Sequence, residues 1–118
     1  MAVPVHLNNV DLSGKQLRFE ELERCIASCQ AGELRERIRL ARNFRPLIRS
    51  LAERRAGGAR AVNEINRLCA LGREGLYEAA MNYTPKIGAQ HFRVFALDYI
   101  ERAMDGQKKS FWRRLFRR

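Results

Sequence analysis

Three cysteines and two histidines are the side chains of this sequence most typical of a structural zinc site. Cys25 and Cys29 are four residues apart and could share a helix face, but with only His6 and His91 available elsewhere a zinc site has too few ligands at plausible spacing. The third cysteine is Cys69, and an odd number of cysteines in a reducing compartment argues against a disulfide framework. We therefore expect no metal site and interpret these cysteines as small buried side chains.

Catalytic chemistry is not indicated anywhere in the chain. The two histidines are isolated, and no nucleophile–base pair, paired carboxylates or phosphate-binding loop occurs at a useful spacing. We expect a protein that is not an enzyme and that needs no cofactor.

Positive charge is concentrated at the C-terminus. The chain has 23 Lys and Arg against 13 Asp and Glu, a net charge of +10. Residues 106–118 contribute +6 of this and contain no acid, which leaves a mildly basic body. As a helix, this tail would have an apolar face, formed by Phe111, Trp112, Leu115 and Phe116. Its opposite face would be basic, formed by Arg113, Arg114, Arg117 and Arg118. Lys108 and Lys109 precede this segment.

Three interpretations of the tail remain open. Its apolar residues could dock on the body while the arginines stay solvated, or its cations could bind nucleic-acid phosphates. It could also bind an acidic membrane surface or a groove on another protein. At about nine residues, the amphipathic part is marginal as an isolated helix.

Length and composition indicate one domain with a single modest core, since the chain has 118 residues and is 46% hydrophobic. No apolar run approaches the roughly 20 residues that span a bilayer, and Met1–Val10 lacks the features of a signal peptide. We expect a cytoplasmic protein with an irregular leader over residues 1–15, a helical domain over 16–105 and the basic tail over 106–118.

The periodicity of apolar residues predicts four helices. The first begins near Gln16 and stops at Gly32, with Phe19, Leu22, Ile26 and Cys29 inward. The second covers about 33–55, with Leu34, Ile38 and Ala41 in its stripe, and Pro46 should kink or interrupt it near 43–45. No alternating run is long enough for a strand, so the predicted fold is an all-α bundle.

Helix three should span 62–82, with Val62 and Ile65 inward, and Thr84–Gly88 should form a turn before a fourth helix that begins near Phe92 and includes Met104. Gly72 and Gly75 each cost a helix interior roughly 1 kcal/mol relative to alanine. We expect them where another helix approaches closely.

The order of these motifs resembles region two of the bacterial RNA polymerase sigma factors. The similar features are Gly72-x-x-Gly75-Leu76, then Tyr83-x-Pro85-x-x-Gly88, then the Phe92–Met104 helix with its aromatic and apolar core positions. The earlier helices follow the family's opening helices in order, so the resemblance covers about 19–104. It implies a compact helical domain acting in transcription initiation, without the family's later promoter-reading domain.

In the family, helix three binds a coiled coil of the polymerase core. The resemblance places this contact at Arg67, Ala70, Leu71, Arg73, Glu74 and Tyr77. Arg67 stands where the family has an acid, and Ala70 stands where it has glutamine. Because a charge reversal at an interface can cost several kcal/mol, we expect an altered or weakened polymerase contact.

The family's fourth helix and the loop before it bind the opened promoter strand, with aromatic rings stacking on bases and cations holding phosphates. The resemblance places this function at His91, Arg93, Tyr99 and Arg102, joined by tail residues Lys108, Lys109, Trp112, Arg113, Arg114 and Arg117. Phe92, Phe95 and Tyr99 could equally be core residues, since they share one helical stripe. Asp98 and Glu101 depart from the family by placing carboxylates where phosphates would approach.

Two functions follow as hypotheses. The first is a sigma-like transcription regulator that binds RNA polymerase core, promoter DNA or both. The alternative is a repurposed sigma scaffold that serves as a non-enzymatic adaptor for another protein or a membrane surface.

Overall fold

Four α-helices follow one another in the computed structural model, which describes residues 17–58 and 60–106. They are α1 (Phe19–Gln30), α2 (Leu34–Ala56), α3 (Val62–Asn82) and α4 (Phe92–Met104), with a short 3₁₀ helix at Ala89–His91 before α4. No strand occurs in these ranges, in agreement with the predicted all-α class. The predicted leader and residues 107–118 of the tail lie outside the described residues. Within them, no helix is both long and apolar enough to cross a bilayer.

The ends of the first two helices follow from local chemistry. The Glu21 carboxylate accepts the backbone N–H of Arg18 at 3.1 Å, which satisfies a donor at the start of α1. After α1 the chain turns at Gly32 (φ 91°), and after α2 it turns at Gly57 (φ 85°). Both angles are left-handed and favour glycine. Gly32 therefore stops α1, as predicted, although α1 begins at Phe19 rather than near Gln16.

The core contains apolar side chains from all four helices, with Phe92 at its centre. The Phe92 ring is fully buried and meets the rings of Phe44 and Tyr83 edge to face, with centroids 5.7 and 5.5 Å apart. These are favourable aromatic geometries. The core interpretation of Phe92 is confirmed. Cys25 and Cys29 are also buried, as predicted.

Four residues that the periodicity placed in the core are exposed instead. Phe19, Ile38 and Val62 have 60%, 50% and 57% of their surface accessible. Phe19 and Val62 are the first residues of α1 and α3, where the helix end has few neighbours. Ile38 lies on α2 beside an open groove between α2 and α3. Leu34, at the start of α2, is exposed as well.

Pro46 lies inside an unbroken α2, so the alternative of an interrupted helix is wrong. The proline nitrogen cannot donate the usual backbone bond to residue 42. Phe44 and Ile48 on either side of it are both buried in the core. This packing on both sides holds the helix together across the missing bond.

Helices α3 and α4 pack closely at the two interior glycines. A Cβ on Gly75 would lie 2.5 Å from the carbonyl oxygen of Tyr99 and 2.9 Å from the Cα of Ile100. A Cβ on Gly72 would lie 2.7 Å from the Met104 methyl group. The prediction that these glycines permit the approach of another helix is confirmed, and this approach positions the surface of α4.

Candidate functional site

The outer side of α3 carries half of the predicted polymerase contacts. Arg67, Ala70 and Glu74 are exposed and follow an i, i+3, i+7 pattern, which places them on one side of the helix. The Arg67 guanidinium donates two hydrogen bonds to Glu64, at 3.1 and 2.7 Å. These bonds lower the pKa of the Glu64 carboxyl and raise that of Arg67. The Arg67 cation, which the sequence predicted as a polymerase contact, is therefore already paired within the helix.

The other predicted polymerase contacts point elsewhere. Leu71 is half-buried and packs against the core. Arg73 and Tyr77 line a groove between α3 and α2, where Arg37 stacks on the Tyr77 ring with its guanidinium carbon 5.3 Å from the ring centroid. The six residues thus divide between an exposed strip, the core and the groove.

This groove has a volume of about 380 Å³, and sequence reasoning missed most of it. Its α2 wall includes Arg42, Arg45 and Arg49, and its α3 wall includes Arg73. The three α2 arginines follow an i, i+3, i+7 pattern. That spacing was readable in the sequence and could have indicated a basic helix face.

On α4, an aromatic series extends outward from the core. The Phe95 ring lies between Phe92 and Tyr99, with centroid distances of 6.2 and 5.1 Å. Phe95 and Tyr99 are half-buried and pack against the core without being enclosed by it. The outer end of the series therefore leaves Tyr99 partly accessible to a ligand.

Tyr99 and Arg102 form a joined pair at that end. The Arg102 guanidinium carbon lies 5.3 Å from the centroid of the Tyr99 ring. Asp98, one turn earlier, accepts hydrogen bonds from Nε and Nη2 of Arg102 at 3.1 and 2.5 Å. The bonds to Asp98 raise the pKa of Arg102. Asp98 is thus both a carboxylate on the candidate nucleic-acid surface and the ion-pair partner of its main cation.

His91 and Arg93 complete the described part of the predicted nucleic-acid surface. His91 is exposed at the residue before α4, and its side chain makes no capping hydrogen bond. Arg93 is exposed on a different side of α4 from Tyr99, over the Phe44 ring at 5.8 Å. The structure therefore brings Tyr99 and Arg102 together and separates Arg93 from them. The tail residues predicted for the same role lie outside the described residues: Lys108, Lys109, Trp112, Arg113, Arg114 and Arg117.

The buried cysteines form a structural pair near the α1–α2 junction. The Cys25 thiol donates to the carbonyl oxygen of Glu36 at 3.5 Å. Its hydrogen bond with Cys29 and its burial raise the pKa of Cys25, which disfavours the reactive thiolate. Across residues 17–58 and 60–106, no three His, Cys, Asp or Glu side chains are grouped so that they could hold a metal ion.

Comparisons with protein-family models, with curated proteins and with solved structures find no match to this chain.

Proposed function

We propose that this protein is a sigma-like transcription regulator that binds RNA polymerase core, promoter DNA or both through one helical domain. The observation that carries the proposal is the close α3–α4 packing at Gly72 and Gly75, within the order of motifs that resembles sigma region two. This packing fixes α4 beside α3, so that one small domain presents both candidate surfaces.

The chemistry of the α4 surface supports a role in binding single-stranded DNA. Tyr99 offers a partly accessible ring, on which an exposed base could stack for roughly 1–3 kcal/mol. Arg102 lies beside it and could contact a phosphate once its pairing with Asp98 is loosened. His91 is exposed at the start of the same helix.

Binding to purified components tests this function. The full-length chain should bind either core RNA polymerase or labelled forked promoter DNA at low salt, and DNA affinity should fall with salt as counterions are released. Arg102→Gln should weaken DNA binding, whereas Arg54→Gln, an exposed arginine on α2, serves as the charge-matched control. Absence of binding to both polymerase and DNA at low salt would reject the proposal.

A second candidate function is an adaptor that binds another protein or a membrane surface. The two intrahelical ion pairs favour it, because Arg67–Glu64 and Arg102–Asp98 occupy charged groups on both family surfaces. Binding of core RNA polymerase by the wild-type chain, compared with the variant Arg67→Asp, Ala70→Gln, separates the candidates. Binding by wild type that the variant strengthens supports the sigma-like function, whereas no binding by wild type, with or without a gain in the variant, supports the adaptor.

A further inference from the structure

The groove between α2 and α3 is an open, elongated feature with two helical walls. Along α2 it extends from Ile38 to Arg49, and along α3 from Asn66 to Tyr77. Each wall covers eleven residue steps, which at 1.5 Å per residue is about 16 Å, or three helical turns. The groove therefore has the length of a short helical segment.

The groove combines apolar groups with a basic lining. Ile38, half exposed, lies at one end, and the half-buried Ala41 and Cys69 contribute further apolar surface. Four arginines line the groove and no acidic residue does: Arg42, Arg45, Arg49 and Arg73. Among the described residues, Arg49 pairs with Glu53 at 3.0 Å, whereas the other three have no ion-pair partner.

We propose that this groove binds an acidic amphipathic helix of a partner protein. Apolar anchors spaced at three and four residues would cover Ile38 and its neighbours, and flanking Asp or Glu side chains would meet the arginines. The basic tail of this chain fits the groove poorly, because its arginines would face four others. Arg73 and Tyr77 line the groove and are also predicted polymerase contacts, but binding of an acidic helix here does not require that the protein bind polymerase.

The direct test uses the full-length chain and a fluorescein-labelled twelve-residue peptide. The peptide carries Leu at positions 1, 4, 8 and 11 and mostly Glu elsewhere, and its control has the same composition in an order without an apolar face. By fluorescence anisotropy, the amphipathic peptide should bind about ten-fold more tightly than its control. Equal affinity for the two peptides would show a non-specific anion-binding patch and overturn the proposal.

Substitutions in the groove locate the binding. The double variant Arg45→Glu, Arg73→Glu should weaken peptide binding about ten-fold or more, since it places like charges opposite the peptide's acids. The matched control is Arg24→Glu, Arg54→Glu, which makes the same charge change at exposed residues that do not line the groove. An equal loss in both double variants would overturn the proposal, since net charge alone would then explain binding. Circular dichroism verifies that each variant folds.

The apolar contribution and the alternative ligands are tested separately. Ile38→Ser changes a half-exposed position that tolerates a polar side chain. It should lower the affinity for the amphipathic peptide several-fold and leave the affinity for the control peptide unchanged. A twelve-nucleotide oligo-dT and phosphatidylserine vesicles serve as competitors. If either displaces the peptide from wild type at lower concentration than unlabelled peptide does, the groove belongs to that other ligand and the proposal fails.

Discussion

Gly75 of α3 lies directly against the backbone of Tyr99 in α4, so close that a Cβ at residue 75 would be 2.5 Å from the Tyr99 carbonyl oxygen. This contact joins the two helices through main-chain atoms, which cannot rotate away as a side chain can. Because Tyr99 belongs to the candidate DNA-binding surface, the same contact sets the position of a proposed functional residue.

Alanine at the two interior glycines should therefore have unequal effects on stability. Overpacking costs about 1–3 kcal/mol, whereas the helix preference of alanine returns about 1 kcal/mol. We expect Gly75→Ala to lower the free energy of unfolding by about 2 kcal/mol, since it meets the backbone of α4. Gly72→Ala should lower it less, because the nearest atom is the mobile methyl group of Met104, although Ile48 must also shift.

Urea denaturation of the two variants measures this difference, and Ala70→Gly calibrates the cost of glycine at an exposed site of the same helix, about 1 kcal/mol. A Gly75→Ala variant as stable as wild type would contradict the close backbone approach.

Removing the side-chain amide of Gln30 should loosen the end of α3. Its Nε2 donates to the carbonyl oxygens of Ala80 and Tyr83 at 2.7 and 2.9 Å, across about fifty residues of sequence. With about 0.5–1.5 kcal/mol for each bond, Gln30→Ala should lower the free energy of unfolding by about 1–3 kcal/mol. Asn82→Ala is the control, because its exposed bond to the Glu78 carbonyl lies within α3 and should contribute under about 0.5 kcal/mol. Equal losses would argue against a special role for Gln30.

The stability of the protein should decrease in the alkaline range because of Tyr83. Burial and the hydrogen bond that its hydroxyl donates to Glu23, 2.6 Å long, raise the pKa of Tyr83 to about 12. The raised pKa favours the neutral phenol in the folded state, so this stabilisation is complete below about pH 10 and is lost as pH rises towards 12. Urea denaturation between pH 8 and 11.5 should show that the free energy of unfolding falls more steeply with pH for wild type than for Tyr83→Phe.

Absorbance at 295 nm follows tyrosine ionisation, and the difference between the wild-type and Tyr83→Phe titrations isolates Tyr83 from Tyr77 and Tyr99. Glu23→Gln should lower the pKa of Tyr83 by removing the nearby charge, yet leave it above the usual value of about 10, since burial is the larger cause. A Tyr83 that titrates near 10 in the folded wild type would contradict this environment.

The three thiols should differ in reactivity. Cys69 is half-buried at the groove, whereas Cys25 and Cys29 are buried and the pKa of Cys25 is raised. We expect brief iodoacetamide treatment of the native protein to add one label, at Cys69, and treatment in denaturant to add three, as counted by mass spectrometry. The variant Cys69→Ser should then stay unlabelled in its native state. Rapid native labelling at Cys25 or Cys29 would be inconsistent with the structure.

If α4 binds the opened promoter strand, removing the Asp98 carboxylate should strengthen that binding. Asp98→Asn releases Arg102 from its ion pair and removes a negative charge facing the phosphates. We expect the affinity for forked DNA to rise about three- to ten-fold, and the salt dependence to gain about one phosphate contact. Glu20→Gln, an exposed acid on α1, makes the same change in net charge and should have a smaller effect. An equal gain in DNA affinity for both variants would show that overall charge, and not the position of Asp98, causes the effect.

Much of the helical framework was predictable because periodicity and helix-stopping residues are local signals. The bounds of α3 agree with the prediction, and those of α2 differ by one residue at each end. The role of Gly72 and Gly75 was also predictable, since an interior glycine is costly unless a neighbouring helix needs the space. The all-α class follows from the same patterns.

The remaining features depend on how the helices pack, which local patterns do not determine. The inward assignment of Ile38 was wrong because periodicity identifies a helix side but not whether another helix covers that side. The α2–α3 groove and the bonds of Gln30 likewise require residues brought together from distant parts of the chain. The 3₁₀ helix before α4 was missed because three residues give no measurable period.

The two long-range side chains of α1 have a consequence for mutational scanning. Gln30 and Glu23 form hydrogen bonds from α1 to Tyr83, at the start of the segment that leads into α4. Helix α1 also contacts the 3₁₀ helix. A mutational scan that measures ligand binding would therefore identify substitutions in α1 that reduce binding, although α1 contains none of the proposed contact residues. Such hits would report a displaced α4, and measuring their folding stability in parallel would distinguish them from true contact residues.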